Sequence, residues 1–279
     1  MDACATFELK WTNAFPEFGL SLRFVGEKNR AAHSALTCIG FEMGHVALRI
    51  GEAPVAVGKL QWWMEELLSM RSGQPRHPLT QALARTARIE VASGHQWQRL
   101  ALEALAQRDV GPAASLDQLI AACRPFHLAF ARIENALFDD GDANVRADAL
   151  VLSRLLRDGI SLEDAIARGA LPLPLSLLAK HRLARADLAI ESAARNAALR
   201  EHFAALAERM RALELRSLSV IGAASLHAER VRSEGLARSS SPLGTARIAM
   251  KRLPPSTLWI AWRAARRHGL QRTAGSRYP

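Results

Sequence analysis

The chain has 279 residues, of which 49% are hydrophobic, enough to bury a sizeable core in one domain. Lys and Arg outnumber Asp and Glu by 37 to 27, a net charge of +10 that is compatible with nucleic acid, anionic lipid or a diphosphate ligand and does not choose among them. No apolar stretch approaches the ~20 residues of a membrane span, Val, Ile, Thr and Tyr do not recur at period two as strands require, and Cys4, Cys38 and Cys123 stand far apart without zinc spacing.

Residues 1–28, with Pro16, Gly19 and Gly26, read as an irregular lead-in; an acid at position two and no basic-then-apolar run argue against a secretory signal. The apolar pattern from Asn29, a fair N-cap, predicts helix to about residue 50. Pro54 opens a second helix to Met70, which the turn SGQPRHP stops. Residues 79–107 read as one long helix with a soft spot at Ser93-Gly94.

After the break at Gly111-Pro112, Ser115 caps a helix over 116–138 that carries Phe126, Phe130 and Phe138. The acids of the loop DDGDAN, Asp139, Asp140 and Asp142, lack the ligand pattern of a calcium loop and read as turn residues before a helix over 145–158. Helical periodicity returns over 174–181, 187–216 and 217–236. From Ala237, ARSSSPLG reads as a linker. LPPSTLWIAWRAARRHGLQRTAGSRYP then reads as a basic amphipathic helix capped by Ser256, with a disordered tail after Gln271. The expected organisation is therefore a lead-in (1–28), an all-α domain (29–236) and a C-terminal segment of linker, basic helix and tail (237–279).

Two stretches carry a family resemblance. Residues 59–83, KLQWWMEELLSMRSGQPRHPLTQAL, and residues 149–187, ALVLSRLLRDGISLEDAIARGALPLPLSLLAKHRLARAD, resemble the tryptophan helix and the second aspartate-rich helix of the squalene/phytoene synthase family. The resemblance implies a single-domain helical bundle of the isoprenoid-synthase type around a central cavity. In that family Mg²⁺ bridges carboxylates on two facing helices to prenyl diphosphates, and an apolar lining shields the carbocations.

This chain departs from that pattern where the chemistry resides. The first carboxylate motif is expected within TCIGFEMGHVALRIGEAP, which contains no Asp and offers Glu42, His45 and Glu52; Glu42 and His45 share a helix face. Of the second motif, Arg157-Asp158 remains, with Glu163 and Asp164 following later than the pattern requires. The tyrosines that line such cavities are missing, since the sole tyrosine is Tyr278.

The preferred expectation is a degenerate member, similar to the branch that contains a mitochondrial complex I assembly factor, needing no cofactor and binding an isoprenoid lipid or a partner protein. The alternative is an active Mg²⁺-dependent prenyltransferase using Asp158, Glu163 and Asp164 on one wall and Glu42 on the other. In either case Arg49, Lys59, Arg76 and Arg157 are candidates for the diphosphate, and Trp63, Phe126 and Phe130 for the prenyl chain. No recognition helix or basic stripe points to nucleic acid. The expected location is cytoplasmic, with peripheral contact at the inner membrane surface left open: Trp259 and Trp262, three apart above Arg263, Arg266 and Arg267, suit a lipid interface or packing on the bundle equally.

Overall fold

A computed structural model describes the backbone of residues 3–85 and 89–275 and side chains through residue 269. Its elements are α1 (Ala3–Ala14), α2 (Pro16–Leu22), α3 (Glu27–Arg49), α4 (Ala53–Ser69), α5 (Pro78–Ala84), α6 (Gly94–Ala106) and α7 (Leu116–Phe138). They continue with α8 (Ala143–Ile160), α9 (Leu162–Ala167), α10 (Leu175–Lys180), α11 (Ala193–Ala212), α12 (Val220–Arg238), α13 (Pro242–Lys251) and α14 (Ser256–Gly275). Among the described residues there is no strand, and no helix is long and apolar enough to cross a membrane.

The helix ends follow from local chemistry. Ser115, Ser192 and Ser219 each accept a hydrogen bond from the backbone N–H three residues on, satisfying an orphan donor of the first turn. Asp142 does the same for Asn144 and Val145, at 2.7 and 3.1 Å. Buried Glu66 holds the turn after α4, accepting from the backbone N–H of Arg76 and His77 at 2.7 Å and from Thr80 Oγ1 at 2.6 Å. Although burial raises its carboxyl pKa, these hydrogen bonds pull it below the usual range.

The long helices pair as α7 with α8 and α11 with α12, while α12 also meets α2, α8, α13 and α14. Trp97, Phe18 and Phe203 are the largest side chains in the dry interior.

Several sequence expectations need correction. The lead-in is helical: Pro16 takes the first turn of α2, where a missing N–H costs nothing, and Trp11, Phe18 and Leu22 bury themselves on the bundle. Gly26, not Asn29, occupies the N-cap of α3. The helix expected over 79–107 is divided, because Ser93 and Gln96 form a capping box that starts α6 afresh. Pro242 likewise opens α13 inside the expected linker. Ser256 is the first residue of α14, and its hydroxyl pairs with His227 Nε2 at 2.7 Å. The backbone is helical through Gly275, beyond the residue 271 at which the tail was expected to begin; residues 276–279, including Tyr278, lie outside the described residues.

Candidate ligand cavity

Three helices enclose a cavity of about 170 Å³. From α3, Thr37, Gly40, Phe41, Gly44 and Leu48 recur at helical spacing and form one wall. From α7 come Phe126, His127 and Phe130, and from α8 a ladder of Arg146, Leu150, Arg154 and Asp158, each four residues from the last. Trp11 and Phe15 close the cavity from the N-terminus. Phe15 stacks on Phe41 with centroids 4.2 Å apart and planes at 7°, so part of the lining is aromatic.

Gly40 opens the room for this lining. A Cβ at residue 40 would lie 2.5 Å from the Phe130 ring. Gly40→Ala is therefore expected to destabilise by about 1–2 kcal/mol, overpacking outweighing the ~1 kcal/mol by which Ala exceeds Gly in a helix. At Gly58, exposed on α4, a Cβ meets nothing within 4 Å, and Gly58→Ala is expected to stabilise by about 0.5–1 kcal/mol. Chemical denaturation of the two variants checks both signs.

Four arginines line the cavity, and each is anchored by an acid. Arg49 Nη2 reaches Asp158 Oδ1 at 3.0 Å, and Arg154 Nε reaches Asp158 Oδ2 at 3.3 Å while its Nη1 donates to Gln107. Arg146 pairs with Glu134 at 2.6 Å. Arg157 lies 3.8 Å over the Phe15 ring and bonds Glu229 at 2.8 Å and Glu17 at 3.1 Å. Behind it Arg232 meets Glu17 at 2.8 Å, and Ser153 donates to Glu229 at 2.7 Å. Burial pushes the Glu229 carboxyl up, opposed by Arg157.

Two histidines border the same space. Burial lowers the pKa of His45, with Lys10 adding to the effect. Burial drives that of His127 well below the ordinary value, helped by Arg154 and Arg146, so both rings are neutral at pH 7. His127 Nε2 has no hydrogen-bond partner in the protein.

Of the candidates from sequence, the fold brings Arg49, Phe126, Phe130, Arg157 and Asp158 to this cavity. The others lie elsewhere. Trp63 is buried against His77, with centroids 5.0 Å apart; Lys59 faces solvent; Arg76 is exposed and approaches Glu66 at 3.6 Å. None of these three lines the cavity: Trp63 packs on His77 in the turn before α5, and α4 packs chiefly against α6 and α3.

The residues present do not fit Mg²⁺. Both oxygens of Asp158 face guanidinium groups. Glu42 Oε1 accepts from Lys10 Nζ at 2.6 Å and Trp11 Nε1 at 2.9 Å, so the paired Glu42 and His45 form no ligand set. Glu163 pairs with Arg195 at 3.2 Å, and Asp164 is exposed in the first turn of α9. A hard dication needs several oxygens converging on one point. Among the described residues no group of three or more His, Cys, Asp or Glu side chains is placed to hold a metal ion.

Sequence reading missed Arg146 and His127, which the four-residue ladder on α8 and the Phe face of α7 would have revealed; Arg154 it offers only as a salt-bridge partner of Asp158, the pair found here. It also missed Trp11, Phe15 and Glu17, hidden in the segment taken for irregular.

No family model matches the sequence, and no curated protein matches it. Among solved structures the chain is similar to a dehydrosqualene synthase in complex with ligand, with a TM-score of 0.63 and 11% identity over 96% of this chain and 97% of that one. It is also similar to squalene synthase HpnC from Alicyclobacillus acidocaldarius, with a TM-score of 0.58 and 16% identity over 88% of this chain and 92% of that one. The chain therefore has the all-α isoprenoid-synthase fold of these squalene-synthase-type structures.

Proposed function

We propose that this chain is a squalene/phytoene synthase-like protein that binds an isoprenoid carrying an anionic head group in its cavity without condensing two prenyl diphosphates. The observation that carries the reading is the capture of Asp158 between Arg49 and Arg154. The carboxylate best placed for a metal is neutralised by guanidinium groups, which are themselves good partners for a diphosphate through bidentate hydrogen bonds. The aromatic wall of Phe15, Phe41, Phe126 and Phe130 suits an unsaturated hydrocarbon tail. Binding exchanges the Asp158 pairs for contacts from the diphosphate to Arg49 and Arg154, while Arg157 stays anchored on Glu17 and Glu229.

The test is the thermal midpoint with geranyl, farnesyl or geranylgeranyl diphosphate, with Mg²⁺ and with a chelator. A ligand that binds the folded state alone at 100 times its Kd stabilises by about 2.7 kcal/mol, a rise of roughly 5 °C in a domain of this size. The expected rise is the same with and without Mg²⁺ and is lost in Arg49→Ala and Arg154→Ala. A rise that requires Mg²⁺, accompanied by release of diphosphate, would overturn the reading in favour of an active prenyltransferase. No rise with any chain length would overturn it in favour of a partner protein.

A further inference from the structure

The charge of this protein is concentrated at one end. Residues 237–279 contain nine Lys and Arg and no Asp or Glu, which leaves residues 1–236 nearly balanced, with 28 basic against 27 acidic residues. Almost the whole net charge of +10 therefore belongs to α13, α14 and the residues around them.

Within this segment α14 has two committed faces. Thr257, Ala261 and Ala264 are fully buried, and these small side chains let the helix lie close against α12 and α2. At 100° per residue, Leu258, Trp259 and Trp262 fall on the opposite side and remain 53%, 53% and 43% exposed. Two indoles and a leucine held open to water on one helix are more than scattered surface hydrophobes. Each indole also carries a cation: the Arg263 guanidinium lies 4.4 Å from the Trp259 ring centroid, and that of Arg266 lies 5.0 Å from the Trp262 centroid.

We propose that this outer face of α14 docks the protein on an anionic lipid surface, the tryptophans entering the headgroup region and Arg263 and Arg266 pairing with lipid phosphates. Indoles prefer the boundary where one edge is apolar and the other wet, and arginines stacked on them reach phosphates at the same depth. A nucleic acid would take the charge but offer no apolar layer for Leu258, which projects on the same side as Trp262. The complete lack of acids from residue 237 onward matches a surface whose every headgroup repels carboxylates. Because α14 already packs through its small-residue face, docking needs no unfolding of the bundle and leaves the cavity residues in place.

The experiment is co-sedimentation of the full chain with vesicles of equimolar phosphatidylcholine and phosphatidylglycerol, with pure phosphatidylcholine vesicles and duplex DNA as comparisons. The expected result is binding to the anionic vesicles that weakens with salt. Arg263→Gln with Arg266→Gln should lower the partition coefficient about 30-fold, each arginine near the surface contributing roughly fivefold. Trp259→Ala with Trp262→Ala should lower it at least about tenfold. All four positions are exposed, so the thermal midpoints of both variants should match the parent, which separates loss of docking from loss of fold. Absence of binding by the parent chain overturns the proposal. So does equal binding of parent and tryptophan variant, or DNA binding that depends on the arginines and not on the tryptophans, since each points to a purely ionic partner.

Discussion

Arg232→Met is expected to lower stability by about 3–5 kcal/mol, a fall in thermal midpoint of roughly 5–10 °C, because it removes one partner from a buried cluster of ions. Glu17, Glu229 and Arg232 are each at least 96% buried, and Arg157 joins them from the cavity side. With two carboxylates and two guanidinium groups the cluster is neutral, and its mutual attraction offsets the cost of taking four ions out of water. Without Arg232 two carboxylates share the single cation of Arg157. Burial already favours the neutral form of Glu229, so that carboxyl takes up a proton first, and the loss should be smaller in mildly acid than in mildly alkaline buffer.

The double variant Arg232→Met with Glu17→Gln restores charge balance and should be more stable than Arg232→Met alone, which a double-mutant cycle reads directly. A single-variant loss below about 1 kcal/mol would show that the cluster does not hold α2, α8 and α12 together. The cluster also bears on function, since it anchors Arg157 under the Phe15 ring.

The same cluster marks the boundary between what the sequence disclosed and what it hid. Helices α3, α4, α7 and α8 were legible because their apolar positions recur at helical spacing, with Ser or Pro signals as at Ser115 and near Pro54. The short helices α1 and α2 were not: Pro16 reads as a breaker unless the Trp and Phe side chains on either side are known to have a bundle to bury against. For the same reason Glu17, Trp11 and Phe15 could not be assigned to the cavity. Asp158, Arg157, Arg49 and the Phe face of α7 converge because they lie on long helices whose inward faces are set by periodicity. Lys59 and Trp63 on α4, and Arg76 in the turn before α5, lie away from the cavity because likeness of a sequence stretch does not say which face of a helix or turn meets which neighbour. Nor did spacing reveal that Asp158 would meet Arg49, more than a hundred residues away; the pair exists only once α3 and α8 face each other.

His202 alone should cost about 3 kcal/mol of stability as pH drops from about 6.5 to 4. His202, on α11, is fully enclosed, hydrogen-bonds the Leu155 backbone and has no partner at Nε2; burial lowers its pKa from 6.5 to about 4. In the unfolded chain the ring gains its proton near pH 6.5, whereas in the folded protein it stays neutral until about pH 4. Below 6.5 the unfolded state thus binds one more proton, and each pH unit costs about 1.4 kcal/mol until the folded ring titrates as well. His127, lowered by burial and by Arg154 and Arg146, adds a contribution of the same sign. The carboxyl of Glu66, held low by its hydrogen bonds, acts only below its unfolded value of 4.5, and that of Glu229, pushed up by burial, acts above it with the opposite sign, so the part of the slope that belongs to a histidine is the part its substitution removes. Urea denaturation between pH 4.5 and 6.5 reads that slope, and His202→Gln, which has no proton to gain, should remove about one proton's worth of it. A slope that His202→Gln leaves unchanged would mean that water reaches His202 in the folded state, and the same result for His127→Gln would mean that the cavity it borders is wet rather than a hydrocarbon site.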